Sequence, residues 1–302
     1  MKQIGRYHLD EVEGFGAFAT VWRGTDSELE IPVAVKVLAE NWSNHADVRE
    51  RFLAEARLLR RIDDPRVVRV HDIGTHDDRP FFVMDFIPGG TMADRIQPGL
   101  PTAQALRLAI EAARAVQVLH DAGVLHRDVK PTNLLISADD KVLVSDLGSA
   151  KRLAEASGVT VTTGTPAYMA PEQARGEPVD ARSDVYSLGA VAYELLSGRQ
   201  PYDVGDPGSL LTRGADTRPE SLARSHDLPR QLDHVLASAL ATRPADRPAT
   251  AGALADALEQ LSSGAKVQGV RKPRRTVSAL RVAVLAGVAF AAAAAVTWLL
   301  LR

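Results

Sequence analysis

His126-Arg127-Asp128-Val129-Lys130-Pro131-Thr132-Asn133 is the stretch on which the reading of this 302-residue chain turns. It follows an amphipathic helical run ending at Leu119-His120 and precedes the strand-like Leu134-Leu135-Ile136. It brings together a carboxylate, an ammonium and an amide, a set suited to moving a phosphoryl group. Asp128 can accept the proton of an attacking hydroxyl, Lys130 can neutralise charge on the transferring phosphate, and Asn133 can hold a metal. Alone, these residues would equally describe a turn with a solvated Asp and Lys, so the flanking sequence has to decide.

Composition sets outer bounds. Hydrophobic residues make up 45% and charged residues 25%, ordinary values for a globular protein. A formal charge of −2 argues against a nucleic-acid binder. Cysteine is absent, which excludes disulfides and thiolate metal sites. Met1-Lys2-Gln3-Ile4-Gly5-Arg6 has no apolar core of the length a secretory signal needs, so the first domain is expected in the cytosol. His8, His45, His71, His76, His226 and His234 show no ligand-like spacing.

Residues 7–24 read as strand, glycine turn, strand, with Gly14 and Gly16 at the turn. Such a hairpin can lay backbone N–H groups over a polyphosphate because no side chain blocks the approach. Ile31-Pro32-Val33-Ala34-Val35-Lys36-Val37 follows as an apolar strand carrying one lysine. The pattern over 47–61 predicts a helix with Phe52, Ala56 and Leu59 on one face and Glu55 placed to pair with Lys36. Asp64–Val70 is expected to form a turn and strand, and Phe81–Phe86 a further strand entering the Pro88-Gly89-Gly90 turn.

Helices are expected to dominate from Thr102 onward. Ala105, Leu108, Ala109, Ala112, Val116 and Leu119 recur at helical spacing, and 185–196 is apolar on nearly all sides. Between these lies Lys141-Val142-Leu143-Val144-Ser145-Asp146-Leu147-Gly148, a strand delivering a carboxylate at a turn, where it suits magnesium. The stretch 199–229, polar and bearing Pro and Gly, reads as a docking surface.

Gly14/Gly16/Val21, Val33-Ala34-Val35-Lys36, Glu55, His126-Arg127-Asp128 through Asn133, Asp146-Leu147-Gly148 and Ala170-Pro171-Glu172 stand in the order and spacing of the protein kinase signatures. Over about residues 6–262 the chain resembles a eukaryotic-type (Hanks-type) serine/threonine protein kinase of the bacterial membrane-anchored kind. Gly164 through Gln173 is particularly close to that group.

The resemblance implies an α+β, two-lobed fold. A small antiparallel sheet plus one helix would span about 6–87 and a larger helical lobe about 88–262, with ATP in the cleft. Carried over, Lys36 holds phosphates, Glu55 orients it, Asp128 is the base and Lys130 steadies the γ-phosphate. Asn133 and Asp146 bind Mg²⁺. Gly14, Gly16, Val21 and Ala34 line the nucleotide site with the hinge Asp85-Phe86-Ile87, and Met84 guards its back. Lys130 and Thr165 match serine/threonine specificity, with Thr165 contacting Asp128 and Lys130. Asp184 is the helix-core aspartate, and Arg247 the arginine that pairs with Glu172.

Three departures stand out. Glu13 occupies a position that is apolar in the family; it either weakens nucleotide binding or is replaced by Val12 through a local shift. Ala19 replaces the third glycine, and Leu147 replaces the usual phenylalanine. Arg127 beside the base wants an anion, which points to autophosphorylation at Thr160, Thr162 or Thr163.

Lys266, Arg271, Lys272, Arg274, Arg275 and Arg281 form a basic linker over 263–281, and Val282–Leu301 is an uncharged run of twenty residues. As a helix of about 30 Å that run would cross a bilayer, with the basic side cytoplasmic. The linker would also attract anionic lipid headgroups. Ala283, Gly287 and Ala291, spaced four apart, permit helix dimerisation. No extracellular sensor is expected after the span. The expected protein is a single-pass cell-membrane kinase facing the cytoplasm, with a 1–262 kinase domain and Ser/Thr-bearing proteins as substrates. A membrane-tethered pseudokinase scaffold is the alternative.

Overall fold

The computed structural model describes residues 3–97, 99–147, 166–202, 217–225 and 228–268. The chain divides into two compact units, Met1–Ser262 and Ser263–Arg302. The first begins with six antiparallel strands: β1 (Gln3–Ile4), β2 (Tyr7–Phe15), β3 (Ala19–Asp26), β4 (Ile31–Leu38), β5 (Val70–His76) and β6 (Arg79–Asp85). Their order in the sheet is β1-β2-β3-β4-β6-β5.

The two-residue period of β4 explains how this sheet packs. Val33, Val35 and Val37 join Tyr7, Leu9, Phe81 and Val83 in one apolar cluster, whereas Ala34 and Leu38 belong to another with Phe82 and Met84. Helix α1 (Ala46–Arg61) contributes Phe52, Ala56 and Leu59 to the second cluster. Lys36, between Ala34 and Leu38, is thereby directed toward the helix-covered side. Asp47 in the first turn of α1 and Arg60 and Arg61 in its last complement the helix dipole.

Segment 66–68 does not join β5 as a strand. Val68 N–H donates to Val144 O at 3.0 Å, and Val144 N–H donates to Arg66 O at 2.8 Å. The turn before it, where Asp64 Oδ1 accepts from Arg66 N–H at 2.8 Å, commits these backbone groups to the strand that leads into Asp146. The sheet strand starts only at Val70, and its alternation is blurred by His71 and Asp72.

Helices build the remainder: α2 (Thr102–Asp121), α3 (Pro171–Ala174), α4 (Ala181–Ser197), α5 (Leu222–Ser225), α6 (Arg230–Ala239) and α7 (Ala251–Gln268). The hairpin β7 (Leu134–Ile136) and β8 (Val142–Val144) is laid against them. Helix α4 is nearly all buried, with Asp180 capping its start through Arg182 N–H and Gly198 in the left-handed conformation ending it. A Cβ on Gly189 would stand 2.8 Å from the Ala239 Cβ, so glycine there permits the close approach of α4 and α6. Among the described residues no helix is long and apolar enough to cross a membrane; the expected span at 282–301 lies outside them.

Candidate active site

Lys36 is the junction of the cleft. Its Nζ lies 2.8 Å from Glu55 Oε1 on α1 and 2.7 Å from Asp146 Oδ1 beyond β8. It also sits 5.4 Å from the Phe82 ring centroid, a cation–π distance. Burial alone would lower the lysine pKa, but the charges of Asp146 and Glu55 outweigh it and raise it. The two carboxylates part company. Burial pushes Glu55 up to about 7 despite the ammonium. Burial also opposes ionisation of Asp146, but the Lys36 charge and hydrogen bond prevail and hold it below the usual carboxylate value. With two carboxylates on one ammonium, the more deeply buried Glu55 keeps its proton to higher pH.

Asp128 sits at the other side of the cleft with Asn133 and Lys130. Asn133 Nδ2 donates to Asp128 O at 2.9 Å and to Asp128 Oδ2 at 3.1 Å. Lys130 Nζ is 2.9 Å from the same carboxylate oxygen. The Asn133 amide turns its nitrogen to the aspartate, leaving Oδ1 as its atom for a cation.

Two residues of the site adopt left-handed backbone conformations, Arg127 at φ +66° and Asp146 at φ +53°. A non-glycine residue in that region costs about 1–2 kcal/mol, so its surroundings must hold it there. For Arg127 the holders are visible. Asp184 on α4 accepts from Arg127 N–H at 2.8 Å and from His126 N–H at 2.9 Å. Gln173 Nε2 donates to Arg127 O at 2.8 Å. His120 Nε2 lies 2.9 Å from Asp184 Oδ2 and completes the anchor.

At the glycine hairpin, Gly14 pairs with Val21 and Val12 pairs with Trp22. Two steps on β2 therefore face one on β3, and Glu13 is the extra residue of a bulge, exposed while Val12 is half-buried. This local shift favours Val12 as the apolar residue at that edge. Gly16 N–H closes the turn onto Ala19 O at 2.8 Å. Trp42 fastens the tip, donating from Nε1 to Ala17 O at 2.9 Å and packing on Phe18 at 5.0 Å between centroids.

Val21 pairs across the sheet with Lys36, Ala34 with Met84, and Val33 with Asp85. Met84 and Ala34 are buried on the same face, Ile87 packs at the core edge, and His71 Nε2 lies 2.6 Å from Asp85 Oδ1. Leu147 is buried in the main core.

Thr160, Thr162, Thr163 and Thr165 lie outside the described residues. Glu172 and Arg247 meet in a buried two-point ion pair, closed further by Ser183 Oγ on Glu172 Oε1 at 2.6 Å. Sequence reasoning assigns nothing to Trp42, His120, Ser183 or the Gln173 side chain. Each acts on a partner distant in the chain, and no local pattern announces such a pairing.

The donor set fits a nucleotide with a hard cation. No group of three or more His, Cys, Asp or Glu suited to a metal occurs among the described residues. A cation held by Asn133 and Asp146 would take its other ligands from phosphate oxygens and water, the habit of Mg²⁺.

A β-rich part and a helical part joined by such a site define a protein kinase fold. Residues 7–258 match the protein kinase domain family, and the chain belongs to it. Bacterial serine/threonine-protein kinases are among the proteins it is similar to. It is 37% identical over 245 residues to the serine/threonine-protein kinase PknB of Mycobacterium leprae, covering 78% of this chain and 39% of that protein. It is 39% identical over 248 residues to PknB of Mycobacterium tuberculosis, with the same coverage of 78% and 39%. The chain thus spans about two fifths of the length of these relatives. The crystal structure of the M. tuberculosis PknI kinase domain superposes with a TM-score of 0.66 at 29% identity, covering 86% of this chain and 97% of that one.

Proposed function

We propose that this chain transfers the γ-phosphoryl group of ATP to serine or threonine hydroxyls of proteins. The observation that carries the reading is Lys36 bonded at once to Glu55 and Asp146, with Asp128 held by Asn133 and Lys130 in the same unit. Asp128 accepts the substrate hydroxyl proton as its oxygen bonds to the γ-phosphorus, and the bond to the bridging oxygen breaks to leave ADP. Lys130 balances charge on the transferring group, and Lys36, oriented by Glu55, holds the α- and β-phosphates. Asn133 and Asp146 would hold Mg²⁺, which would supply positive charge to the phosphate oxygens. The glycine hairpin covers the phosphates with backbone N–H groups, and Met84, Asp85 and Ile87 border the adenine.

The proposal extends to organisation. The kinase domain is 1–262, 263–281 is a basic linker, and 282–301 anchors it in the cell membrane with the catalytic side cytoplasmic, supported by the uncharged run and the preceding basic residues. Phosphorylation of Thr160, Thr162 or Thr163 supplies an anion for Arg127 and regulates the enzyme.

Labelled ATP and Mg²⁺ with the full chain, beside Asp128→Asn, test the reading. Incorporation that falls about a hundred- to ten-thousandfold in the variant is expected. No incorporation, with ATP still raising the melting temperature, would replace the enzyme with a nucleotide-binding scaffold.

A further inference from the structure

The catalytic-loop residue Arg127 has both of the peptide units that flank its Cα restrained by side chains from elsewhere. Its N–H is taken by Asp184 of α4, and its C=O by Gln173 of α3. Gln173 uses its amide twice. Nε2 donates to Arg127 O at 2.8 Å, while Oε1 accepts from Ala170 N–H at 3.1 Å. The first partner immediately precedes Asp128. The second immediately precedes α3, where the chain returns from the segment following Asp146. Arg127, Asp128, Val129 and Lys130 share a small cleft with Tyr168, Met169 and Gln173, so the two strips of backbone face each other there.

We propose that Gln173 is a positioning residue: it fixes the backbone of Asp128 to the Met169–Ala170 peptide, so that the base is set only when this stretch is docked. The reading rests on the kinase function proposed above. An amide is the side chain that meets both demands, since it carries a donor and an acceptor about 2.3 Å apart. The left-handed φ of +66° at Arg127 supplies the reason a second restraint is needed. With Asp184 alone, the N–H side of Arg127 is held while its carbonyl, and with it the peptide leading into Asp128, is released to rotate.

Substitutions separate the two halves of the amide. Gln173→Glu keeps the acceptor for Ala170 N–H but, when ionised, has no donor for Arg127 O and places negative charge against it. Gln173→Ala removes both. In the full chain, both variants are expected to lower kcat about ten- to a hundredfold with the KM for ATP nearly unchanged, because the nucleotide cleft is untouched. Gln173→Glu should recover toward wild type as pH falls and the carboxyl regains a proton to donate, a recovery Gln173→Ala cannot show. Hydrogen exchange at the amides of residues 127–129 should accelerate in Gln173→Ala, with the melting temperature as a check on folding. Wild-type kcat and unchanged exchange in both variants would overturn the proposal. So would equal losses in the two variants with no pH-dependent recovery. If wild type transfers no phosphate, the kinase reading falls, and exchange at 127–129 still decides whether Gln173 holds the loop. Should Gln173→Ala fail to fold, Gln173→Glu and its pH profile decide alone.

Discussion

Arg247 donates to both carboxylate oxygens of Glu172, from Nη1 at 2.6 Å and from Nη2 at 2.8 Å, with side-chain exposures of 0% and 3%. Burial alone would raise the Glu172 pKa, but the hydrogen bonds from Arg247 and Ser183 outweigh it and hold the carboxyl below its ordinary value. Arg247 also donates to the carbonyls of Ala241, Arg182 and Thr242, so one guanidinium ties the start of α3 to α4 and to the segment before α7.

Removing one partner strands the other's charge in the interior. Glu172→Leu and Arg247→Met are each expected to cost about 3–5 kcal/mol. The double variant Glu172→Leu/Arg247→Met should cost less than the sum, because no lone charge remains buried. Urea midpoints of the three variants measure this directly, and additivity would show that the pair is not the source of the loss.

Asp184 anchors two catalytic-loop N–H groups and His120 with a single carboxylate. Asp184→Ala leaves both buried N–H groups unsatisfied, at roughly 1–3 kcal/mol each. Asp184→Asn keeps one acceptor oxygen and should lose less stability. Both should reduce phosphate transfer more than their melting temperatures suggest, because the released N–H groups belong to the residues next to Asp128. Transfer rate per folded molecule, with folding followed by circular dichroism, checks this.

Glu55 gives stability a defined pH dependence. Its folded pKa of about 7 lies above the ordinary 4.5. Between these values the folded chain binds a proton that the unfolded chain has lost, so this contribution is full below about 4.5 and is lost as pH rises through 7. Asp146 has the opposite sign: its pKa is lowered, so its contribution is lost as pH falls below the usual carboxylate range. Glu55→Gln should flatten the melting temperature between pH 4.5 and 7 while leaving the acid limb in place. An unchanged slope in that window would assign the proton elsewhere.

What the sequence made legible is set by how local the chemistry is. Lys36 stands out because an apolar strand around one lysine demands a partner, and Glu55 stands out because it interrupts the apolar face of α1. Strands β2, β3, β4 and β6 lie where strands are expected, whereas the strand expected within 64–70 lies instead at Val70–His76, because 66–68 pairs with Val144. The bulge at Glu13 depends on how β2 and β3 align, which no single strand specifies. The Gln173 and His120 contacts span 46 and 64 residues, so only folding brings their partners into view.

Gly89 marks a close crossing behind the hinge. A Cβ there would lie 2.0 Å from Ile136 O, a backbone atom with no rotamer to escape into. The neighbouring Gly90 O accepts from Ile136 N–H at 2.9 Å, so the hinge exit and β7 are bonded where they cross. Gly89→Ala should therefore push the two backbones apart and cost about 1–3 kcal/mol, as overpacking does. A melting temperature matching wild type would show that the crossing yields without strain.

Trp42 joins the glycine hairpin to the entry of α1. Its indole N–H holds Ala17 O at 2.9 Å, its ring packs on Phe18 at 5.0 Å, and His45, at the N-cap position of α1, packs against it at 5.2 Å with its ring tilted by 58°. The loop that would cover phosphates and the helix that carries Glu55 thus share one side chain. Trp42→Ala should free the hairpin tip and raise the KM for ATP several-fold, whereas Trp42→Phe keeps the ring packing and loses only the hydrogen bond, giving an intermediate value. The chain has three tryptophans, so fluorescence of Trp42 can be isolated by difference against Trp42→Phe. A change on adding ATP and Mg²⁺ to wild type that disappears in Trp42→Phe would place the indole in contact with loop closure. An equal change in both would locate the response at another tryptophan and leave Trp42 a purely structural fastening.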